Sequence, residues 1–268
     1  MSLTRRVDQA RDAYRKGDPS GAAAAHDPRR IARAAEEEHG GIGDQYLGDL
    51  VYGGLDGVVT TFAIVSGVAG ASLGSDVILI LGLANLLADG FSMASGAYLS
   101  TKSGQEYYQR EFERETWEIE HFPEGERAEL LELYRGRGYG EDEAEQLVGI
   151  QARQPERWVR AMMVDELGML PDERKPLTSG AATLAAFVLA GSLPLVVFVA
   201  GLFVPIDDRT AFLVSLLLTG VALFSLGAAK VYVTQRNPVR SGLEMLAVGG
   251  LAAAVAYGVG AFLKGIAG

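Results

Sequence analysis

The sequence predicts an all-α polytopic membrane protein that carries a water-soluble helical insert. Charge is concentrated in two stretches, since residues 1–45 carry 8 acids and 8 bases and residues 102–175 carry 19 acids and 11 bases. The rest of the chain holds only 7 of the 34 acids and 5 of the 24 bases. Long apolar runs fill that remainder, a distribution typical of membrane-spanning helices rather than of one soluble domain.

Five runs are long enough to cross a bilayer, which takes roughly 20 mostly apolar residues. The predicted spans are Leu47–Ala71, Val77–Thr101, Gly180–Val204, Thr210–Ala229 and Met245–Leu263. Pro194 predicts a kink in the third span rather than its end, because neighbouring helices can satisfy the freed carbonyl. Small residues in the run AVGGLAAAVAYGVG of the fifth span permit close packing, either within the chain or at a dimer seam.

The distribution of bases predicts the orientation in the membrane. Lys230, Arg236 and Arg240 mark the link between spans four and five as cytoplasmic, since short loops rich in Lys and Arg stay on that side. The predicted organisation is a cytoplasmic N-terminal segment (1–45), spans one and two (46–101), a cytoplasmic acidic helical domain (102–175) and spans three to five (176–268). We expect the protein to lie in the cell's inner (plasma) membrane.

Local signals predict further helices outside the spans. Asp27 as N-cap and Pro28 as first helical residue predict a short helix through about Glu38. In the insert, the second span should continue as a helix to about His121, before Pro123. Prolines and glycines then delimit three more helices, Glu124–Arg135, Glu141–Ala152 and Pro155–Leu167.

Composition excludes several classes of function. The chain has no Cys, so it forms no disulfide, no thiolate-held iron–sulfur cluster and no Cys-ligated zinc site. The net charge of −10 argues against nucleic acid as a partner, because that binding depends on clustered Lys and Arg. Any metal must therefore be held by carboxylate, imidazole, amide or thioether groups.

Acids in the insert fall on helix stripes. Glu111, Glu115 and Glu118 are four and three residues apart, and Glu126 and Glu129 repeat the spacing of three. Like charges so placed repel unless a cation sits between them. Met162 and Glu166 are four apart on the last predicted helix. Carboxylates with a thioether are a plausible ligand set for a first-row divalent cation. The alternative is that these glutamates are simply solvated.

The first two spans carry ionisable or polar groups at membrane depth. Asp56 lies inside the first span, and Asn85, Asp89 and Met93 follow one another at intervals of four on the second. An acid in the bilayer costs at least about 2.5 kcal/mol on insertion scales, so it faces a partner, a cavity or a transport route. These four residues are candidates for a transport pathway. Alternatively, the two aspartates only pair with polar groups between helices.

The chain resembles the vacuolar iron transporter family in four stretches, and it is identified as a bacterial-type member. They are GLDGVVTTFAIVSGVAGA, GLANLLADGFSMASGAYLSTKS, the acidic run QREFERETWEIEHFPEGERAEL and WVRAMMVDELGML. The resemblance runs from about Tyr46 to the C-terminus. It implies five spans, a homodimer with the ion route between subunits, and movement of Fe²⁺, often also Mn²⁺, out of the cytoplasm in exchange for protons.

The resemblance also implies roles for individual residues. Cytoplasmic metal-binding positions of the family fall on Glu115, Glu118, Glu126, Glu129, Met162 and Glu166. Asp56 stands at the transport aspartate, and Met93 at the methionine that faces the pore. Some members carry Glu where this chain has Asn85, which leaves open whether Asp89 takes over proton coupling.

The leading hypothesis is therefore a transporter, not an enzyme, that exports Fe²⁺ against protons for iron detoxification and homeostasis. Mn²⁺, Co²⁺ and Zn²⁺ remain possible cargoes, since ligand type does not rank these ions uniquely. One alternative is a membrane-tethered ferroxidase, because Glu118 and His121 have the Glu-x-x-His spacing of di-iron bundles. Another is an acidic interaction module on a membrane anchor without transport.

Overall fold

The computed structural model describes residues 5–29, 31, 45–229 and 237–267, and their regular structure is entirely helical. These residues form two compact units. The first takes its residues from 1–97 and 177–268, and the second is Tyr98–Pro176. The predicted all-α class is confirmed.

The helices follow one another along the chain without an intervening strand in the described ranges. In chain order they are α1 (Arg5–Lys16), α2 (Pro19–Ala25), α3 (Leu47–Gly70), α4 (Ser75–His121), α5 (Pro123–Gly136), α6 (Glu141–Gln151), α7 (Pro155–Asp165), α8 (Pro176–Gly191), a 3₁₀ turn (Leu193–Leu195), α9 (Val196–Ala200), α10 (Asp208–Ala229) and α11 (Pro238–Ala267).

Five of these segments are long and apolar enough to cross a membrane, as predicted. The third begins at Pro176 and ends at Ala200, four residues earlier at each end than predicted. The fifth is longer than its predicted apolar core, because polar residues extend the helix back to Pro238. Lys230 and Arg236 of the basic link lie outside the described residues, whereas Arg240 pairs with Glu244.

The third span is kinked at Pro194, as predicted. The helix gives way to a single 3₁₀ turn around this proline and resumes at Val196. Proline has no N–H and its ring clashes with the preceding turn, which explains the break. The buried hydroxyl of Ser215 on α10 donates to the Pro194 carbonyl at 2.7 Å, so a neighbouring helix does satisfy a polar group at the kink.

Two short helices precede the first span. At the start of α2, Asp18 accepts a hydrogen bond from the Ser20 N–H at 3.0 Å. The predicted cap at Asp27 is also present, since its carboxylate accepts from the Arg29 N–H at 2.9 Å. Most of the helix predicted from Pro28 to about Glu38 lies outside the described residues.

The first unit is packed through glycine. Gly57 of α3 lies against the backbone of Phe187 on α8, and Gly260 of α11 lies against the backbone of Gly67 on α3. A Cβ at either glycine would overlap a carbonyl oxygen of the neighbouring helix. One small residue of the fifth span therefore serves packing within the chain. Gly258 on the same helix has nothing within 4 Å of its Cβ position.

The second unit consists of α5, α6, α7 and the C-terminal part of α4 around an apolar core. Leu130, Met162 and Met163 are fully buried in it. Between α5 and α7, Tyr134 donates to Asp165 at 3.3 Å, and Arg137 pairs with the same carboxylate at 2.5 Å. The helix bounds predicted for the insert are confirmed to within two residues.

Replacing Gly260 with Ala should destabilise the first unit, whereas Gly258→Ala should not. The added methyl group of Gly260→Ala meets the rigid backbone of Gly67, and overpacking of this kind costs about 1–3 kcal/mol. Thermal unfolding of the two purified variants in the same detergent measures the difference. Equal melting temperatures would contradict the proposed close contact between α3 and α11.

Candidate functional site

The centre of the candidate site is a row of glutamates on α4. Glu115 is fully buried, Glu111 is 8% exposed and Glu118 is partly buried, so the row faces into the second unit rather than into solvent. Spacings of four and three residues put the three carboxylates on one face of the helix. The long uninterrupted α4 makes this alignment possible.

Helices α5 and α7 bring three further acids to this row. Glu126, in the first turn of α5, is 5% exposed, while Glu129 and Glu166 are exposed. Oxygens of Glu115, Glu118 and Glu126 lie within 4.8 Å of one another, and so do oxygens of Glu126, Glu129 and Glu166. Glu126 therefore belongs to both groups, which we call the two carboxylate triads.

Two carboxylates in these triads are buried without full compensation. One oxygen each of Glu115 and Glu126 is buried and has no hydrogen-bond partner among the described residues. Leaving a buried charged acceptor unpaired is costly, so such groups are protonated or bind a cation.

The pKa values of these carboxyl groups reflect the same unfavourable burial of negative charge. Burial raises the pKa of Glu115 to about 7, and the charge of Glu166 contributes in the same direction. Burial and the charge of Glu129 raise the pKa of Glu126 to about 7. The pKa of Glu166 is raised as well, first by partial desolvation of its carboxyl group and then by the charge of Glu129. A proton and a metal ion would thus compete for these oxygens near neutral pH.

The spread of the triads suits a divalent cation. Ions of this class bind carboxylate oxygens at about 2.0–2.6 Å, so three oxygens within 4.8 Å of one another can reach one ion after small side-chain movements. Because Glu126 is common to both triads, its carboxylate could bridge two ions.

Met162 and His121, the other predicted participants, differ in their surroundings. Met162 is fully buried in the apolar core of the second unit, four residues before Glu166. His121 is exposed, stacks on Trp117 at 4.4 Å and contacts the Trp117 carbonyl through Nδ1. It belongs to neither triad, so the described residues assemble no Glu-x-x-His di-iron arrangement.

A feature that the sequence analysis did not single out is Arg114, which lies among the acids of α4. Its guanidinium pairs with Glu111, Glu115 and Glu118. Glu111 lies three residues before Arg114, and Glu118 lies four residues after it. A cation with acids at these helical spacings on both sides was the signal that could have revealed it.

In the first unit, the predicted pathway residues lie on α3 and α4. Asp56 and Asp89 are both partly buried. The amide nitrogen of Asn85 is buried without a hydrogen-bond partner in the described part of the chain. Met93 packs against the apolar core of this unit. Neither aspartate is a member of the carboxylate triads.

A cavity of about 460 Å³ also lies in the first unit, between α3, α10 and α11. Its walls are mainly apolar, with the buried hydroxyls of Ser66 and Thr219. Its described lining contains no carboxylate, so it does not provide a metal site.

Comparison with known proteins identifies the family. The model of the VIT family matches residues 47–261, which is most of the chain. The chain belongs to the VIT family. It is 37% identical over 98% of its length to the vacuolar iron transporter of Toxoplasma gondii, covering 90% of that protein. It is 32% identical to the vacuolar iron transporter of Plasmodium falciparum, over 98% of both chains.

Plant members are also similar. Vacuolar iron transporter 1 of Eucalyptus grandis is 34% identical over 88% of this chain and 93% of its own length. The family resemblance predicted from the four stretches is confirmed, and the VIT family chain is a transporter rather than an enzyme. This outcome disfavours both the ferroxidase alternative and the module without transport.

Without bound metal, the free energy of unfolding of the chain should fall as the pH rises from about 5 to about 8. Glu115 and Glu126, whose pKa is about 7 when folded against 4.5 as the ordinary value, bind more protons in the folded state. Their contribution is present below about 4.5 and is lost as the pH rises through about 7. Thermal unfolding in chelator measures the slope, which should be flatter in the Glu115→Gln/Glu126→Gln double variant. An unchanged slope there would contradict the assignment.

Glu126→Gln should weaken divalent-cation binding by about tenfold or more, because both triads lose a charged oxygen. Glu124→Gln is the matched control, since Glu124 is exposed in the same helical turn and belongs to neither triad. Calorimetric titration of the full chain in detergent with Mn²⁺, which does not oxidise readily, measures both. Equal losses of Mn²⁺ affinity in the two variants would contradict the assignment of the triads as the cation-binding site.

Proposed function

We propose that the chain exports Fe²⁺ from the cytoplasm in exchange for protons and so protects the cell from excess iron. The observation that carries the proposal is the pair of carboxylate triads, with unpaired buried oxygens on Glu115 and Glu126, in a chain of the VIT family. Relatives named vacuolar iron transporters support iron as the cargo. Mn²⁺ is proposed as a second cargo, and Co²⁺ or Zn²⁺ would meet the same ligands.

The second unit is proposed as the loading site. Its ligands would be Glu115, Glu118, Glu126, Glu129 and Glu166, with the thioether of Met162. Carboxylates bind hard and borderline cations alike, whereas a thioether favours the softer ones. This donor set supports a preference for Fe²⁺ over Mg²⁺ or Ca²⁺.

The membrane pathway is proposed to run past Asp56, Asn85, Asp89 and Met93. Asp56 and Asp89 repel each other when both are charged, so a cation or a proton between them is favoured. Protonation on the far side would then release the ion, because both compete for the same oxygens. An Asn85 amide takes up no proton near neutral pH, so we propose Asp56 as the group that exchanges the proton, with Asp89 as the alternative.

We further propose a homodimer in the inner membrane, with the N-terminus and the second unit in the cytoplasm. Only 28% of the apolar window of α4 and 11% of that of α11 are buried within the chain, so these faces meet lipid or a second copy. The basic link before α11 supports the cytoplasmic side. The relatives are named for the vacuole, and export from the cytoplasm has the same direction across either membrane.

Replacing Asp56 with Asn should abolish uptake of Fe²⁺ into proteoliposomes that are acidic inside. The variant keeps the side-chain shape but removes the charge that would attract the ion and the group that would exchange a proton. Fe²⁺ uptake is followed with a chelating dye, and loss of internal protons with a pH-sensitive dye. Asp76→Asn is the control, because Asp76 is exposed in the first turn of α4.

Wild-type protein and Asp76→Asn should both couple Fe²⁺ entry to proton exit, and collapse of the pH gradient should stop accumulation. Undiminished, proton-coupled uptake by Asp56→Asn would refute the pathway. Fe²⁺ uptake by the wild type that does not depend on the pH gradient would refute the proposed exchange for protons.

A further inference from the structure

The carboxylate row on α4 already holds a cation. The guanidinium of Arg114 donates to Glu111 at 2.9 Å, to Glu115 at 2.6 Å and to Glu118 at 2.5 Å. Each of its three nitrogens donates a hydrogen bond to a different carboxylate of this row. Guanidinium groups bind carboxylates strongly because of this planar geometry.

Arg114 and the proposed cargo require the same ligands. Glu115 and Glu118, two of the three carboxylates that Arg114 binds, form a carboxylate triad with Glu126. The Arg114 side chain is 40% exposed while that of Glu115 is 0% exposed, so Arg114 lies nearer to solvent than the carboxylate it binds. An ion entering this triad is repelled by a permanent positive charge that is already bound to two of its three carboxylate groups.

The neighbouring cations do not share this position. Arg110 contacts Glu111 alone within the row, and its side chain is 75% exposed. Arg135 pairs with Glu132 and Glu141, which belong to neither triad. Arg114 is thus distinguished by its contacts from the other arginines of this unit for which ion pairs are described.

We propose that Arg114 is a built-in competitor that sets the affinity threshold of the loading site. The inference rests on the proposed role of the triads in binding cargo. When a divalent ion binds, the guanidinium leaves Glu115 and Glu118 and swings to solvent. When the ion departs, Arg114 returns and compensates part of the negative charge of the row.

Such a competitor raises the intrinsic affinity that a divalent ion needs to occupy the site. The same guanidinium must be displaced whichever ion binds, so the affinities of all divalent ions fall by a similar factor. Mg²⁺ gives up its water reluctantly and is usually held by only one or two carboxylates, so its affinity is low before this reduction. Fe²⁺ and its heavier neighbours form tighter complexes and remain able to bind.

The test compares calorimetric binding of Mn²⁺ and of Mg²⁺ to the full chain in detergent. Arg114→Gln removes the charge and should tighten the binding of Mn²⁺ and of Mg²⁺ by a similar factor, about tenfold, because both ions displace the same guanidinium. Arg110→Gln is the matched control and should change either affinity by less than about twofold.

Unchanged or weaker Mn²⁺ binding by a folded Arg114→Gln would overturn the proposal, the weaker result showing that Arg114 holds its carboxylates in position for the metal. Thermal unfolding checks that the variant is folded. If it is not, Arg114→Lys decides, since it keeps the charge but loses the fork and should bind Mn²⁺ more tightly than the wild type. Failure of the wild type to bind Mn²⁺ at all would instead refute the loading site.

Discussion

Mutual repulsion among buried carboxylates is the constraint around which the second unit is organised. Glu115 and Glu126 approach each other although each keeps an oxygen without a partner among the residues that the structure describes. Such an arrangement persists only because the surrounding helices are held by other forces. The apolar core around Leu130 and Met162 supplies most of them, and the contacts of Asp165 with Tyr134 and Arg137 connect α5 to α7. The negative charge that remains uncompensated favours the binding of a cation.

The first unit meets a related demand by different means. Acids within a bilayer must be shielded from lipid, and the glycines on α3 let α8 and α11 approach at the level of the backbone. The polar groups of Asn85, Thr61 and Ser66 stay buried without partners in the described residues. Apolar side-chain packing in the second unit and backbone contacts between helices in the first unit thus keep polar groups buried.

Local and compositional signals were sufficient to predict the membrane spans and the helices of the insert. Apolar length gave the spans, and the prolines at 123, 155 and 194 marked two helix starts and one kink. The helices α1 and α2 were missed, although Asp18 and Pro19 repeat the signal recognised at Asp27 and Pro28. Membership in the candidate site followed from spacing and from family resemblance. Contacts between helices did not follow, because no periodicity within α4 or α5 states which of their faces meet.

The contacts of Arg114 likewise could not be predicted from the sequence alone. Aligned glutamates repel unless a cation intervenes, but α4 contains several bases near its acids that could supply it. Which of them turns inward depends on the shape of the site that α5 and α7 complete. The exposed fractions, 40% for Arg114 and 75% for Arg110, record that choice.

Two carboxyls whose pKa is raised to about 7 make the carboxylate triads a buffer near neutral pH. At that pH Glu115 and Glu126 together hold about one proton, which a bound divalent ion would expel. The local charge would then change by about one unit rather than by the two that the ion carries. The second unit could alternate between filled and empty forms with a smaller swing in its electrostatic potential.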